Sequence, residues 1–145
     1  MEEYAIPFIL AIIPATYLHE GAHWVVGKLA NANPKVSFRL WVIPNGVFFR
    51  NIESVDEEVI RFSGIAPFVW LPFGIFSALL FLVESSPSLL FLSLTFLYTI
   101  AMASESDATA FREPELFREN VLNEDISREP LLIPTWMFPE WIPRM

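Results

Sequence analysis

Residues 62–83 read FSGIAPFVWLPFGIFSALLFLV, and these 22 residues carry no formal charge. About 20 mostly apolar residues cross the hydrocarbon core of a bilayer as an α-helix, so this stretch predicts a transmembrane helix. Two further stretches lack charge over similar lengths: Tyr4–Leu18, which continues past one His-Glu pair through Gly21–Gly27, and Pro87–Ser104. Helices of a soluble bundle need a polar face, which these segments lack. The sequence therefore predicts an α-helical integral membrane protein with three transmembrane helices.

The composition supports a membrane protein and excludes several other classes. Of the 145 residues, 54% are hydrophobic and 18% are charged, whereas average globular domains have about 45–50% and about 25%. The absence of cysteine excludes disulfides and Cys-ligated metal sites. A net charge of −8 argues against binding to nucleic acid, because the chain could not neutralise a run of phosphates.

The segment between the first two predicted spans, Pro34–Ile52, has the pattern of a β-hairpin. Apolar residues alternate with other side chains through Val36–Val42, Pro44-Asn45-Gly46 is typical of a turn, and Val47–Arg50 returns. We expect a membrane core over residues 1–110 and a cytoplasmic or interfacial C-terminal tail over residues 111–145. The core is predicted to contain a helix at 4–27, the hairpin at 34–52, a helix at 58–83 and a helix at 87–107. The apolar, Pro- and Trp-containing end of the tail, Leu131–Met145, predicts a segment lying at the bilayer surface.

The basic residues predict the orientation. All nine Lys and Arg residues lie in or beside the hairpin loop or in the tail, and none lies at the N-terminus or in the turn Glu84-Ser85-Ser86. Positive charge marks the cytoplasmic side of membrane proteins. We therefore expect a multi-pass protein of the cell membrane, with its N-terminus outside and both the hairpin and the C-terminus in the cytoplasm.

The only two histidines of the chain occur in the motif His19-Glu20-Gly21-Ala22-His23. Residues four apart share one face of a helix, so both imidazoles could reach one metal ion, and Glu20 could take a proton from a water molecule beside it. Polar side chains near a membrane span need partners. The alternative to metal binding is therefore that these side chains form a hydrogen-bonded polar cluster between helices. Haem ligation is disfavoured, because residues i and i+4 of one helix cannot bind opposite faces of a haem.

A catalytic zinc ion uses three protein ligands and an open position, so a carboxylate must complete the set. Asp56 and Asp125 lie in polar segments, whereas Asp107 directly follows the third span and is the favoured ligand. Glu105 is its rival. Asp107 also ends a stripe of small and polar residues that is typical of a face packed against another membrane helix, namely Thr95, Thr99, Ala103 and Asp107.

The second span begins Phe62-Ser63-Gly64-Ile65-Ala66-Pro67. Gly64, Pro67 and Gly74 predict close approach of backbones and carbonyl groups without an intrahelical hydrogen bond. Such carbonyls would be useful beside a polar site.

These residues together resemble the site-2 protease family of intramembrane zinc metalloproteases, over about residues 4–110. The resemblance includes the His19–His23 motif on a first core helix, a cytoplasmic hairpin, a Ser-Gly-x-x-Pro opening to the second core helix and an Asp after the third. Two departures stand out. The family's Leu-Asp-Gly is here Ser106-Asp107-Ala108, and the Asn that often follows Ser-Gly-Pro is replaced within Phe68-Val69-Trp70. The chain would be a minimal, divergent three-helix member.

The resemblance implies that His19, His23 and Asp107 ligate one Zn²⁺ per chain and that Glu20 is the catalytic base. The expected function is a zinc-dependent intramembrane endopeptidase that hydrolyses peptide bonds in or near transmembrane segments. Its partners would be membrane-protein substrates and the lipid bilayer. The alternative is a non-catalytic metal-binding membrane scaffold or regulatory protein that retains the protease fold. Glu20 favours the enzyme, because structural metal binding does not require that side chain.

Overall fold

The computed structural model describes residues 7, 10–39 and 42–126. It is mostly helical, with one two-stranded antiparallel sheet. The helices are α1 (Ile12–Leu29), α2 (Glu57–Ile65), α3 (Leu71–Glu84), α4 (Pro87–Ala101), α5 (Glu105–Arg112) and α6 (Pro114–Leu122). The strands are β1 (Pro34–Arg39) and β2 (Ile43–Phe49), and short 3₁₀ helices cover Ile52–Ser54 and Ala66–Trp70.

The predicted second span is a helical run with a tighter segment in its middle. Helix α2 passes into the 3₁₀ turns of Ala66–Trp70 and then into α3, so that Glu57–Glu84 is continuous over 28 residues. Pro67 and Pro72 explain the change of geometry, because neither has a backbone N–H for the helical hydrogen-bond ladder.

Within the described residues, the run Glu57–Glu84 is the one helix long and apolar enough to cross a membrane. The apolar helix Pro87–Ala101 has 15 residues. Helix α1 includes Glu20, Lys28 and both histidines within its 18 residues. Length and composition therefore support one span in place of the three expected, because the other two helices are either short or interrupted by polar side chains.

The expectation of one helix over 87–107 is wrong. Helix α4 ends at Ala101, and α5 begins at Glu105. Ser104 is the N-cap of α5, and its side chain accepts a hydrogen bond from the N–H of Asp107 while the Asp107 carboxylate accepts one from the N–H of Ser104. This reciprocal pair is a capping box, which starts a new helix and separates it from the preceding one.

The hairpin forms as expected, but the predicted turn at Pro44-Asn45-Gly46 is wrong. These three residues lie inside β2. Ser37 pairs with Gly46, whereas Phe38 pairs with Pro44, so Asn45 is an extra residue in the ladder. Such a β-bulge uses the residue types that also favour turns, which explains the error.

A small hydrophobic core joins the hairpin to α2 and α5. Its buried members are Ala32, Phe49, Ile52, Val55, Ile60 and Ala110. Gly27 allows β2 to pack on α1, because a Cβ there would lie 2.5 Å from the ring of Phe49. The core therefore fixes the hairpin against the helices that carry the predicted site residues.

Two arginines connect the C-terminal helices to the rest of the fold by donating hydrogen bonds to backbone carbonyl groups. Arg61 of α2 donates to the carbonyl of Phe111 at 2.9 Å, at the end of α5. Arg118 of α6 donates to the carbonyls of Ile52 and Val55 at 3.2 and 2.7 Å. The first part of the predicted tail is thus helical and packed, whereas the predicted interfacial segment Leu131–Met145 lies outside the described residues.

Helices α3 and α4 pack against each other after a short connection at residues 85 and 86. Ser85 adopts a left-handed conformation with φ of 51° and ends α3. Gly74 lies against Leu97, since a Cβ at residue 74 would be 2.9 Å from its side chain. The glycine therefore permits the close approach that the sequence predicted.

Candidate metal centre

Helix α1 places His19 and His23 one turn apart, with both rings turned into the interior. Their Nε2 atoms lie 3.2 Å apart. The exposed fractions of the two residues are 5% and 7%, so both imidazoles are withdrawn from solvent. The two rings meet edge to face, with their centroids 4.8 Å apart.

The Nδ1 atom of His19 lies 2.7 Å from the carbonyl oxygen of Thr99. A carbonyl oxygen can only accept, so Nδ1 carries the proton of the neutral ring and Nε2 keeps its lone pair. Thr99 lies in the last turn of α4, where carbonyl groups lack intrahelical donors. The end of α4 therefore supplies the acceptor that fixes the tautomer of His19.

The ring of His23 is held in the same way by the second helical run. Its Nδ1 donates to the carbonyl oxygen of Ser63 at 2.8 Å. The donor four residues further on would be residue 67, but Pro67 has no N–H. Pro67 thus leaves this carbonyl with capacity for the imidazole, and the proton on Nδ1 again leaves Nε2 as an electron-pair donor.

Asp107 faces both histidines from the first turn of α5. One carboxylate oxygen, Oδ2, lies 3.5 Å from Nε2 of His19, and the other, Oδ1, lies 3.3 Å from Nε2 of His23. The position of α5 follows from Gly64 in α2, which lies directly against the backbone of α5 at Asp107. The break before α5 therefore brings this carboxylate to the two rings.

The charge state of Asp107 suits a ligand for a cation. Burial disfavours the charged carboxylate, but the interactions with His19 and His23 and the hydrogen bond from the N–H of Ser104 outweigh it, so that the pKa of Asp107 lies below its ordinary value. Two Nε2 lone pairs and one carboxylate then face each other. This arrangement is favourable when a positive charge joins the three groups, either a proton on one imidazole or a metal cation.

The cluster of His19, His23 and Asp107 could hold a metal ion. The rival third ligand, Glu105, is exposed and does not belong to the cluster. It lies two residues before Asp107 on α5, so its side chain projects from another part of the helix. The geometry therefore favours Asp107 over Glu105 as the third ligand.

A cavity of 240 Å³ opens beside the cluster, and Glu20 lies in its wall together with His19, His23 and Asp107. Glu20 is half-buried. Strand β2 contributes much of the opposite wall through Pro44–Phe49, and α6 contributes Phe117 and Val121. The space is large enough to admit water beside the cluster.

Two features of the site were missed from the sequence. Ser104 holds the carboxylate of Asp107, and the spacing Ser-x-x-Asp could have indicated this, because it is that of a capping box. Trp70 lies in the segment where the resemblance would place an Asn. Its indole N–H donates to the carbonyl oxygen of Leu18 at 3.2 Å. This hydrogen bond helps to hold α1 in place at Leu18, the residue before His19.

Comparisons of this chain with models of protein families, with curated proteins and with solved structures returned no match.

Proposed function

We propose that this protein is a zinc-dependent intramembrane endopeptidase that hydrolyses peptide bonds in or near transmembrane segments of membrane proteins. One observation carries the proposal. The Nδ1–H groups of His19 and His23 are both bonded to backbone carbonyls, so both Nε2 lone pairs converge with the carboxylate of Asp107. This is the tautomer and orientation that metal-binding histidines require.

The spacing of the donor atoms fits zinc. In a tetrahedral site with bonds of about 2.0–2.1 Å, two ligand atoms lie about 3.3 Å apart. The two Nε2 atoms lie 3.2 Å apart, and Oδ1 of Asp107 lies 3.3 Å from Nε2 of His23. Nε2 of His19 lies 3.5 Å from the other carboxylate oxygen, Oδ2. Two imidazoles and one carboxylate are also a ligand set of catalytic zinc sites, which keep a fourth position open. We infer one Zn²⁺ per chain, held by His19, His23 and Asp107.

A zinc ion held by His19, His23 and Asp107 would supply a Lewis acid that could polarise a carbonyl and acidify water. Glu20 lies in the wall of the same cavity, where its carboxylate accepts the proton of the attacking water and passes it to the leaving amine. Thr99 and Ser63 keep the two imidazoles oriented through their carbonyl groups. The burial of the histidines keeps bulk water from screening the charges that develop during hydrolysis.

The surface of the helices supports placement in a bilayer. Only 17% of the apolar window in Glu57–Glu84 is buried, whereas the core helix of a soluble protein would be mostly buried. Large apolar side chains of α3 are exposed, among them Phe73, Phe76, Leu79, Leu82 and Val83. Exposed apolar surface of this extent favours lipid as its surroundings.

We propose that α1 and α4 accompany this run as two further transmembrane helices. Helix α4 packs against α3 after a tight turn, so a bilayer that surrounds α3 also surrounds α4. Its 15 residues span about 22 Å, and the uncharged sequence continues to Ser104. The distribution of basic residues supports an N-terminus outside the cell and a cytoplasmic hairpin and C-terminus, and we propose the cell membrane as the location.

Strand β2 offers a way to hold a substrate. A transmembrane helix resists hydrolysis because its carbonyls are hydrogen-bonded, so it must unwind into an extended segment. In the described part of the chain the sheet has two strands, and β2 lines the cavity. An unwound segment could pair with β2 and lie beside His19, His23 and Glu20.

The proposal is tested by reconstituting the purified protein in lipid vesicles with single-span substrate proteins. Cleavage within or beside the span should stop after zinc chelation and return when zinc is restored. If the protein binds zinc and yet cleaves none of a broad set of spans, the alternative of a metal-binding membrane scaffold is preferred. Cleavage that persists after complete removal of the metal would exclude a zinc mechanism.

A further inference from the structure

Ser104 lies between α4 and α5 and makes three hydrogen bonds with Asp107. Its backbone N–H donates to Oδ2 of Asp107 at 2.7 Å, and its hydroxyl donates to the same oxygen at 2.9 Å. Its hydroxyl oxygen also accepts the backbone N–H of Asp107 at 3.3 Å. Ser104 therefore holds both the main chain and the carboxylate of this residue.

The single hydroxyl proton of Ser104 determines the direction of the neighbouring hydrogen bond. Ser106 Oγ lies 2.8 Å from Ser104 Oγ. Since the proton of Ser104 goes to Asp107, the proton of this contact comes from Ser106. The hydroxyl groups thus form a chain in which Ser106 donates to Ser104 and Ser104 donates to the carboxylate.

The two oxygens of the carboxylate are consequently unequal. Oδ2 lies 3.5 Å from Nε2 of His19, but it also accepts two hydrogen bonds from Ser104, which occupy its lone pairs. Oδ1 lies closer to the other ring, 3.3 Å from Nε2 of His23. The structure assigns to Ser104 the role of a positioning residue that makes Asp107 bind the metal through Oδ1 alone. This inference rests on the proposed metal site. It matters because a carboxylate that bound through both oxygens would fill the position that hydrolysis needs open.

An ordinary N-cap serine only stabilises its helix, so the test must separate coordination from stability. Co²⁺ alone is the probe, added to the metal-free protein in detergent, because its visible absorption reports coordination number and its titration reports affinity. Ser104→Ala should weaken Co²⁺ binding by about tenfold to hundredfold, the usual effect of losing a group that orients a metal ligand. Its absorption should also become weaker, as expected when the carboxylate binds through both oxygens and the coordination number rises.

Two other variants complete the comparison. Ser104→Thr keeps the hydroxyl and should restore both affinity and spectrum. Ser86→Ala is the matched control, because Ser86 is the N-cap of α4 and its side chain makes no capping hydrogen bond. It should bind Co²⁺ as the parent does.

The outcomes are distinct. A parent protein that binds no Co²⁺ would overturn the metal site of the proposed function and this inference with it. Normal binding by the parent and an unchanged affinity and spectrum in Ser104→Ala, even with a lower Tm, would overturn the positioning role alone. Should Ser104→Ala fail to fold, Ser106→Ala removes only the outer donor and should weaken binding to a smaller degree. Parent-like affinity and spectrum in that variant would then overturn the inference.

Discussion

Gly64 of α2 lies against the main chain of Asp107, and a Cβ at residue 64 would be 2.5 Å from the carbonyl oxygen of Asp107. It would also lie 2.9 Å from the backbone nitrogen of Phe111. Backbone atoms cannot rotate away as a flexible side chain can. The distance between α2 and α5, and with it the position of the carboxylate, therefore depends on the absence of a side chain at residue 64.

Gly64→Ala should push α5 away from α1 and weaken zinc binding, although no ligand is changed. We expect an affinity loss of about tenfold or more, the scale seen when a ligand loses its orientation, and a destabilisation of about 1–3 kcal/mol from overpacking. Competition with a zinc-binding dye and thermal unfolding measure the two effects. Gly21→Ala is the matched control, because nothing lies within 4 Å of a Cβ there. Parent-like affinity in Gly64→Ala would contradict the packing argument.

Glu20→Gln separates an enzyme from a metal-binding scaffold. The substitution preserves the shape of the side chain and removes the base, so zinc occupancy should remain near that of the parent. Hydrolysis should fall by about 10²-fold or more, the scale of losing general-base catalysis. The measurement is the initial rate of substrate cleavage in vesicles, normalised to bound zinc. Cleavage by Glu20→Gln as fast as by the parent would remove the catalytic role of this residue.

Proline substitutions test whether β2 holds the substrate. Phe48→Pro removes a backbone N–H from the strand that lines the cavity and should slow cleavage while leaving zinc content unchanged. Phe38→Pro changes β1, which is paired with β2 but does not line the cavity. It should reduce cleavage less. The docking role is rejected if both variants bind zinc and cleave as the parent does.

The orientation is tested by reporters fused to the two ends of the chain. The basic residues predict a cytoplasmic C-terminus and an external N-terminus, because Lys and Arg are retained on the cytoplasmic side. Reporters active only in the cytoplasm or only outside, fused in turn to each end, measure this directly. Both ends on one side would remove the model with three spans.

The sequence predicted which side chains form the cluster more fully than it predicted where the helices begin and end. The spacing of His19 and His23 is enough to place two imidazoles on one face, since helical periodicity is a local property. Pro67 likewise removes the usual i+4 donor to the carbonyl of Ser63, which accepts from the N–H of Ala66 and from His23. The break between α4 and α5 does not follow from the apolar pattern, because Ser104 ends an uncharged stretch. The capping box that Ser104 forms with Asp107 overrides this pattern.

The choice between Asp107 and Glu105 depended on tertiary structure. Both carboxylates follow the third apolar stretch, and only the packing of α5 on Gly64 determines which one faces the histidines. The hairpin shows the same limit. The residues Pro44-Asn45-Gly46 fit a turn and a bulge equally well, and the pairing with β1 decides for the bulge.

The most direct test of the central claim is the zinc content of the protein purified in detergent, measured together with that of four single variants. The account predicts one zinc per chain in the parent and in Glu105→Ala, whose side chain lies outside the cluster. His19→Ala, His23→Ala and Asp107→Ala should each lose most of the metal, because two protein ligands are too few for a stable catalytic site. Zinc lost in Glu105→Ala but kept in Asp107→Ala would contradict the third ligand. Equal zinc in all five proteins, or none in the parent, would contradict the metal centre itself.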